Sequence, residues 1–471
     1  MRKYIYCFLI AGLFSCSKIK DFGDTNENPT AVNTGDAGGF LTYTLAYTAS
    51  TYITQGIYVQ YAMESQYPGT CFYSDNSSSF TGYYSAYLNY LQQIIRMGYA
   101  GSTTNNMVQV AKILQQYYYL NITNNWGDVP YSEALQGDAN TKPAYDKQED
   151  IYSGIISTIR GAVDSIDAST IDGDIAFDGD PDAWKRVGNS IIMLASIQLS
   201  KRYPDAGGTA ATAFNTALGN AGGYISANDE NFSIVYPGDA YQNLWYQTYY
   251  SRSDYGESET MTDLMASLGD TRQHAFGGAT TTVGDTTSSS LGLPYGVTRT
   301  EIVNWTAAHT GYARILRGDL RLQTSPMVLI SAAYITLVRA EAANLGWTTE
   351  SAAALYAAGI QLSFDDWGED MPDEYLSQEG VVWGTDNVKK IAIQQFIAVY
   401  PNGLYAWNIW RKTGYPVLTP SVNAANESGE IPRRFKYATS EATTNPDNLA
   451  IAVERLDGGN TDVARIWWDK E

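Results

Sequence analysis

Histidine and cysteine are the scarcest chemically active residues in this chain. The 471 residues include two histidines, His274 and His309, and three cysteines, Cys7, Cys16 and Cys71. Two of the cysteines lie near the N-terminus, so this set forms neither a disulfide framework nor a cysteine-rich metal site. Two histidines are too few for most zinc sites and leave little choice of base for a serine nucleophile. We therefore expect no metal, no cofactor and no catalytic residue.

Positive charge and long apolar runs are also scarce. Lys and Arg number 30 against 50 Asp and Glu, which gives a formal net charge of −20. A nucleic-acid partner is not expected, because its phosphates must be neutralised by cations. No stretch holds the roughly 18 apolar residues that a membrane helix needs. The acidic turns 172–174 and 178–180 lack the ligand spacing of a calcium loop, so we interpret them as solvated turns.

Tyrosine, in contrast, is abundant. The chain has 37 tyrosines, and aromatic residues make up 13% of it. A tyrosine ring combines a flat apolar face with a hydroxyl group, which suits the recognition of polar, uncharged ligands. Large extracellular proteins also carry many tyrosines for packing alone, so composition leaves both interpretations open.

The N-terminus has the features of a lipoprotein leader. A basic start, Met1-Arg2-Lys3, precedes a short apolar stretch at 4–14, which ends in Leu13-Phe14-Ser15-Cys16. This pattern predicts a signal peptide at 1–15, cleaved before Cys16. Acyl chains on Cys16 would anchor the protein to a membrane. Phe14 departs from the small residue usual in such a motif, and an ordinary secretory leader with an incidental cysteine remains the alternative.

Most of the remaining chain has helical periodicity. Polar residues at 16–32 predict a flexible tether, and 33–471 is predicted to be a single domain. The predicted helices cover 40–64, 83–97, 105–121, 147–166, 181 to about 204, 326–345, 350–364 and 388–400. The pair Asp146 and Glu149 predicts a capping box, and Ser325-Pro326 predicts a helix start. We expect a mainly α fold of TPR-like helix pairs with long ligand-facing loops, although no clean 34-residue repeat is visible.

Two loop segments carry the expected ligand-binding residues. The first, 236–255, is dense in aromatic rings interleaved with hydrogen-bonding groups. The second follows the first long helix at 66–76. The candidate ligand residues are Asn243, Trp245, Tyr246, Tyr249, Tyr250, Arg252, Tyr67 and Tyr73. Several rings of the first segment could equally form a small core, and we expect two or three of them to be exposed.

Several short motifs occur in an order that resembles one family of bacterial surface proteins. They are Cys16 followed by Asn26-Glu27-Asn28-Pro29, Trp126-Gly127-Asp128-Val129-Pro130-Tyr131, Leu268-Gly269-Asp270-Thr271-Arg272, Arg339-Ala340-Glu341-Ala342-Ala343, Trp410-Arg411-Lys412-Thr413-Gly414, Ile431-Pro432-Arg433-Arg434 and Arg465-Ile466-Trp467-Trp468-Asp469. Together they resemble the SusD/RagB-like nutrient-binding lipoproteins, and the ending is similar to that of the SusD-like branch. Thr271 stands where this family usually has proline.

The same motifs carry expected structural roles. Glu341 lies among alanines, so we expect a partly buried carboxylate with a bonding partner. Arg433 and Arg434 are expected to tie the C-terminal loops to carboxylates or carbonyls. Trp467 and Trp468 are expected to dock the tail into the body of the protein.

The resemblance implies a function and a partner. It implies a non-enzymatic, lipid-anchored protein on the outside of the cell outer membrane. That protein would capture an oligosaccharide and deliver it to a SusC-like TonB-dependent outer-membrane barrel, on which it sits as a lid.

Three alternatives stay open at this stage. A RagB-like uptake subunit would bind peptides, and an acidic surface favours cationic ones. A surface glycoside hydrolase would need two carboxylates facing each other in a cleft. A third possibility is a lid that closes the transporter without binding ligand itself.

Overall fold

Helices form most of the regular structure in this computed structural model, which describes residues 35–74, 76–99 and 105–471. The predicted signal peptide, Cys16 and the whole of the predicted tether lie outside the described residues. In the described ranges the helices are α1 Ala37–Ala46, α2 Ile53–Tyr58, α3 Asn89–Tyr99, α4 Asn105–Trp126, α5 Gln148–Ser165, α6 Pro181–Gln198, α7 Thr209–Leu218, α8 Leu244–Tyr249, α9 Glu259–Ser267, α10 Gln273–Phe276, α11 Arg299–Ala308, α12 Ala332–Asn344, α13 Ala352–Trp367, α14 Asn387–Ala398, α15 Gly403–Thr413, α16 Thr439–Thr444 and α17 Pro446–Glu454. A π-helical turn, Tyr83–Leu88, leads into α3.

Helices that are adjacent in sequence pack against one another. Each helix from α3 to α6 contacts the next, and α12 contacts α13 and α14. The helix α15 packs on both α14 and α2, while α1 packs on α3. Consecutive helix pairs of this kind confirm the predicted mainly α, TPR-like fold.

Two of the predicted helices follow their sequence signals closely. In α5 the stripe Ile151, Ile155 and Ile159 is fully buried, as its four-residue spacing predicts. The helix α6 begins as predicted, because the Asp180 carboxylate accepts a hydrogen bond from the Asp182 amide and Pro181 occupies the first turn.

The prediction of one long helix at 40–64 is wrong in extent. It is broken into α1 and α2, and the chain then enters a strand. Tyr52, which precedes α2, has a left-handed backbone with φ of 44°. The start of α15 approaches this break so closely that a Cβ atom on Gly403 would lie 2.4 Å from the Tyr52 carbonyl oxygen. A tertiary contact has therefore overridden the local helical pattern.

One predicted helix start and one predicted N-cap are also wrong. The residues after Pro326 form a strand, and α12 begins only at Ala332, where the Ser331 hydroxyl accepts from the Tyr334 amide at 3.2 Å. At α5 the N-cap is Lys147, and Asp146 instead accepts from the Ser132 amide at 2.9 Å. Both predictions used local sequence signals. In the structure, Asp146 belongs to β4, which pairs with β3, and the residues after Pro326 belong to β9, which pairs with β5.

The acidic turn at 172–180 is more ordered than a solvated turn. The Asp174 carboxylate is buried and accepts hydrogen bonds from three backbone amides and from the Trp184 indole, the last at 2.8 Å. These hydrogen bonds to the Asp174 side chain hold the loop in place.

The motifs near the C-terminus have the predicted structural roles. The Glu341 carboxylate bonds to the Lys412 ammonium at 2.5 Å and accepts from the Gln395 amide at 2.9 Å. Arg433 forms two hydrogen bonds to the carboxylate of Asp469, both at 2.7 Å. Trp468 is fully buried, and its indole donates to the Asn124 side chain. The tail is therefore held in the core.

Short strands connect segments that are far apart in sequence. They are β1 Ala62–Glu64, β2 Ser77–Ser78, β3 Val129–Pro130, β4 Tyr145–Asp146, β5 Phe232–Ile234, β6 Tyr255–Glu257, β7 Gly277–Gly278, β8 Arg314–Ile315, β9 Met327–Ile330 and β10 Lys436–Tyr437. They pair two by two, as β1 with β6, β2 with β10, β3 with β4, β5 with β9 and β7 with β8. The pair β1–β6 is the one that positions the site.

Candidate functional site

The two loop segments predicted to bind ligand lie side by side. The strands β1 and β6 are antiparallel, with Glu64 opposite Tyr255. Just beyond this pair, the Ser65 amide donates to the Asp254 carbonyl at 2.7 Å, and the Ser65 hydroxyl donates to the Ser253 carbonyl. The sheet thus brings the end of segment 236–255 next to the start of segment 66–76.

A buried carboxylate fixes the shape of the second loop. The Glu64 side chain accepts from the Thr70 amide at 2.7 Å, from the Thr70 hydroxyl at 2.8 Å and from the Cys71 amide at 3.3 Å. Burial raises the pKa of Glu64, and these hydrogen bonds oppose that rise. The loop is therefore held from beneath, which leaves its tip available for contacts.

An exposed tyrosine marks the tip of that loop. Tyr67 is 58% exposed, and the guanidinium carbon of Arg299 lies 5.0 Å from its ring centroid. The Arg299 side chain also donates to the Gln66 carbonyl at 3.1 Å. Arg299 begins α11, whose N-terminus is stabilised by a capping box between Thr298 and Glu301.

The helix α11 adds a second aromatic group to the same area. The ring of Trp305 stacks on His309 at a centroid distance of 4.3 Å, and it lies 6.3 Å from the ring of Tyr312. The Tyr312 hydroxyl donates to the Ser253 carbonyl at 3.4 Å, so α11 is tied to the loop that follows Tyr250. We call this surface the loop face, comprising Tyr67, Tyr250, Arg252, Arg299, Trp305 and His309.

Three of the eight residues predicted from sequence are exposed on the loop face. Tyr250 is 71% exposed and contacts the ring of Tyr246 at 5.5 Å. Arg252 is largely exposed and forms an ion pair with Asp254 at 2.6 Å. With Tyr67, these residues offer two rings and a guanidinium to solvent.

The other five predicted residues are buried and have contacts within the fold. Asn243 caps α8 by accepting from the amides of Trp245 and Tyr246. The Tyr249 ring lies under the guanidinium of Arg321 at 4.3 Å, and the Tyr73 hydroxyl accepts from the Ser421 amide. Their role in ligand binding stays a prediction.

A cavity of about 400 Å³ lies beside the buried ring of Trp245. Its walls are mostly apolar and include Trp367 and Tyr400, with Ser325 and Asn402 among the polar groups. A cavity of this size and character can hold a small ligand. Trp245 therefore lines this cavity and is not part of the loop face.

Arg299, Trp305 and His309 were not predicted as site residues, because no helix was predicted between 277 and 310. Thr298 followed three residues later by Glu301 is a capping-box signature, and it was available in the sequence. Its structural counterpart is present, since the Thr298 hydroxyl accepts from the Glu301 amide at 3.4 Å.

The carboxylates around the loop face are already bonded. Glu64 holds the loop at Thr70, Asp254 pairs with Arg252, and Glu301 caps α11. Hydrogen bonding to Thr298 lowers the pKa of Glu301. The arrangement is suited to stacking and hydrogen bonding with a bound molecule.

Two further properties concern metal ions and membranes. Within the described ranges, no three His, Cys, Asp or Glu side chains are grouped so as to hold a metal ion. Over the same residues, every helix is too short or too polar to cross a bilayer.

Comparisons with known proteins agree on one family. The model of the family described as "SusD-like_2: Starch-binding associating with outer membrane" matches residues 32–438. A solved structure titled "chitin-binding protein" is 25% identical, with a TM-score of 0.78 over 93% of this chain and all of that one. None of the curated proteins compared with the chain matches it.

Two further solved structures share the fold at lower identity. A SusD homologue from Bacteroides uniformis is 21% identical, with a TM-score of 0.79 over 92% of this chain and 99% of that one. A chitin-binding SusD homologue from Flavobacterium johnsoniae is 20% identical, with a TM-score of 0.75 over 92% of this chain and 98% of that one.

Proposed function

The chain belongs to the SusD-like family of starch-binding proteins that associate with the outer membrane, and we propose that it captures a glycan on its loop face. The observation that carries the proposal is the convergence of exposed Tyr67 and Tyr250 with half-buried Trp305 from three chain segments. Flat rings cover the apolar faces of sugar rings, while Arg252 and Arg299 donate hydrogen bonds to sugar oxygens.

The proposed ligand is an oligosaccharide derived from a polysaccharide such as chitin. One structural neighbour, at 25% identity, is titled a chitin-binding protein, and this supports chitin oligosaccharides as the first probe. Malto-oligosaccharides are the second probe, because the family description names starch. Stacking on two or three exposed rings suits modest affinity, so that the ligand can be released again.

The second part of the proposal concerns delivery. A lipid on Cys16 would keep the protein at the outer membrane, and the tether at 16–32 would let the body move over a SusC-like TonB-dependent barrel. Ligand would pass to that barrel by mass action, without bond cleavage by this chain. The bonded state of Glu64, Asp254 and Glu301 supports binding over hydrolysis, because a hydrolase needs a facing pair of carboxylates.

Calorimetric titration of the chain from residue 17 onward tests the proposal. Saturable binding of a glycan, with the oligosaccharide recovered intact, is expected for the protein and is expected to weaken in Trp305→Ala. Binding of peptides alone would replace the ligand class, and release of shorter sugars would contradict the non-enzymatic role.

A further inference from the structure

Five tyrosine rings from three separate chain segments form a continuous row outside the loop face. We call it the tyrosine row, comprising Tyr90, Tyr43, Tyr47, Tyr87 and Tyr241. Successive centroids are 5.2 Å apart from Tyr90 to Tyr43, 4.7 Å from Tyr43 to Tyr47 and 6.2 Å from Tyr47 to Tyr241. Tyr43, Tyr47 and Tyr241 are exposed by 37%, 42% and 42%.

The segments that form this row carry no charge. Residues 37–63, 76–95 and 240–251 contain no Asp, Glu, Lys, Arg or His, and the flanking charges are Asp36, Glu64, Asp75, Arg96, Asp239 and Arg252. Such runs are unusual in a chain with 50 acidic and 30 basic residues. The row therefore offers ring faces and hydroxyl groups without a counter-charge, which favours an uncharged ligand over an ionic one.

The rings are held in place by the helices behind them. Tyr43 and Tyr47 are four residues apart at the end of α1, so they point to the same side. Tyr87 stacks on Tyr47 at 6.2 Å and on the buried Tyr118 at 5.4 Å. It belongs to the π-helical turn Tyr83–Leu88, a rare geometry that often occurs at functional sites. Rigid rings lose little entropy when a ligand binds.

The tyrosine row is continuous in sequence with the loop face. Tyr241 precedes α8 and Tyr250 follows it. A helix of this length rises by roughly 9 Å. A chain-like ligand seated on Tyr250 can therefore extend towards Tyr241 and the rest of the row.

The exposed area favours a narrow ligand over a protein. Three tyrosine rings, each about two fifths exposed, offer a ligand on the order of 250 Å² of accessible surface. A standard protein interface buries about 800 Å² on each partner. A single polysaccharide chain fits the smaller area.

We propose that the tyrosine row is a second contact surface for uncharged polysaccharide chains, engaged only by chains long enough to extend beyond the loop face. The proposal rests on the glycan-binding function proposed above. Its physical basis is multivalency, since a chain already bound at the loop face reaches the row at high effective concentration. Short oligosaccharides bind the loop face alone.

Affinity as a function of chain length provides the first test. The double variant Tyr43→Ala/Tyr47→Ala is compared with the unmodified protein by calorimetry, with chitin and malto-oligosaccharides of increasing length. Affinity for the shortest bound oligosaccharide is expected to stay within about twofold, and affinity for the longest to fall roughly tenfold. Tyr47→Phe, which keeps the ring face, and Val417→Ala, an exposed position in another loop, serve as matched controls.

The outcomes separate the two proposals. An equal loss of affinity for oligosaccharides of every length, or no loss of affinity at any length, would overturn the role of the tyrosine row while leaving glycan capture intact. An absence of glycan binding by the unmodified protein would overturn both. Hydroxyl-radical labelling supplies a direct readout: Tyr43, Tyr47 and Tyr241 should be protected by long chains and not by short ones. Labelling that is unchanged by long chains would contradict the proposal even if affinity fell.

Discussion

Arg299 lies over the ring of Tyr67 and joins the tip of the loop after β1 to the first turn of α11. Neither residue is part of the core, since both are exposed. We expect Tyr67→Ala to weaken glycan binding by roughly tenfold while changing the free energy of unfolding by less than about 0.5 kcal/mol. Calorimetry and denaturant titration measure the two effects. Tyr67→Phe is the control that keeps the ring, and a stability loss that accounts for the binding loss would contradict this role.

Trp245 and Tyr250 are close in sequence but are expected to behave in opposite ways. Trp245 is 3% exposed, so Trp245→Ala should lower the free energy of unfolding by about 3 to 5 kcal/mol. Tyr250→Ala should leave stability nearly unchanged and weaken ligand binding, because its ring faces solvent. Denaturant unfolding and calorimetry on both variants check the contrast. Equal stability losses would show that Tyr250 is packed in solution.

Glu257 is a buried carboxyl on β6, beneath the loop face. Burial raises its pKa to about 8, and only the Gln273 amide, at 2.6 Å, and the Tyr400 hydroxyl oppose that rise. The folded state therefore keeps a proton that the unfolded chain releases at its ordinary pKa of 4.5. The free energy of unfolding should fall as pH rises between these two values, with a slope approaching about 1.4 kcal/mol per pH unit from this group.

The variant Glu257→Gln isolates this contribution. Its free energy of unfolding, minus that of the unmodified protein, should rise from about pH 4.5 to about pH 8 and then level off. Denaturant titration across that range measures the difference. A difference independent of pH would mean that Glu257 is ionised in the folded protein.

Asp270 and Arg272 form a fully buried ion pair with two hydrogen bonds, at 2.9 Å and 2.5 Å. The Tyr375 hydroxyl donates to Asp270, and the Ser363 hydroxyl accepts from Arg272. Asp270→Asn leaves a buried guanidinium without its counter-charge, so we expect a loss of about 3 to 5 kcal/mol.

A surface ion pair provides the control for Asp270→Asn. Asp182 and Lys185 lie 2.8 Å apart, with the Asp182 side chain 66% exposed. Asp182→Asn should change the free energy of unfolding by no more than about 1 kcal/mol. Similar losses in the two variants would refute the special role of the buried pair.

Lipid anchoring is predicted to depend on Cys16. Cys16→Ser should move the protein from the membrane fraction to the soluble fraction and abolish incorporation of labelled palmitate, because the acyl chains supply the membrane affinity. Cys7→Ser is the matched control, since that residue lies within the predicted signal peptide. Membrane retention of the Cys16 variant would contradict lipid anchoring at this residue.

The helical scaffold could be predicted from sequence because its signals are local. The stripe of Ile151, Ile155 and Ile159 and the cap at Asp180 depend on neighbouring residues only. The break at Tyr52 and the strand after Pro326 depend on packing against Gly403 and pairing with β5, which no local pattern contains. Tertiary contacts decided the outcome at these positions.

The candidate site could be located from sequence only in part. Aromatic density drew attention to 236–255, but composition cannot distinguish Tyr250, which faces solvent, from Tyr249, which lies under Arg321. Trp305 was not predicted as a site residue because no helix was predicted at 299–308. The proximity of these residues depends on β1 and β6, and three-residue strands have too weak a pattern to be recognised in advance.

Glycan capture on the loop face is tested most directly by calorimetric titration of the chain from residue 17 onward with chitin and malto-oligosaccharides, alongside a panel of peptides. We predict saturable binding of an intact glycan, weakened by Tyr67→Ala and by Trp305→Ala and unaffected by Val417→Ala. Binding of peptides but not glycans, or glycan binding that survives both substitutions, would contradict glycan capture on the loop face.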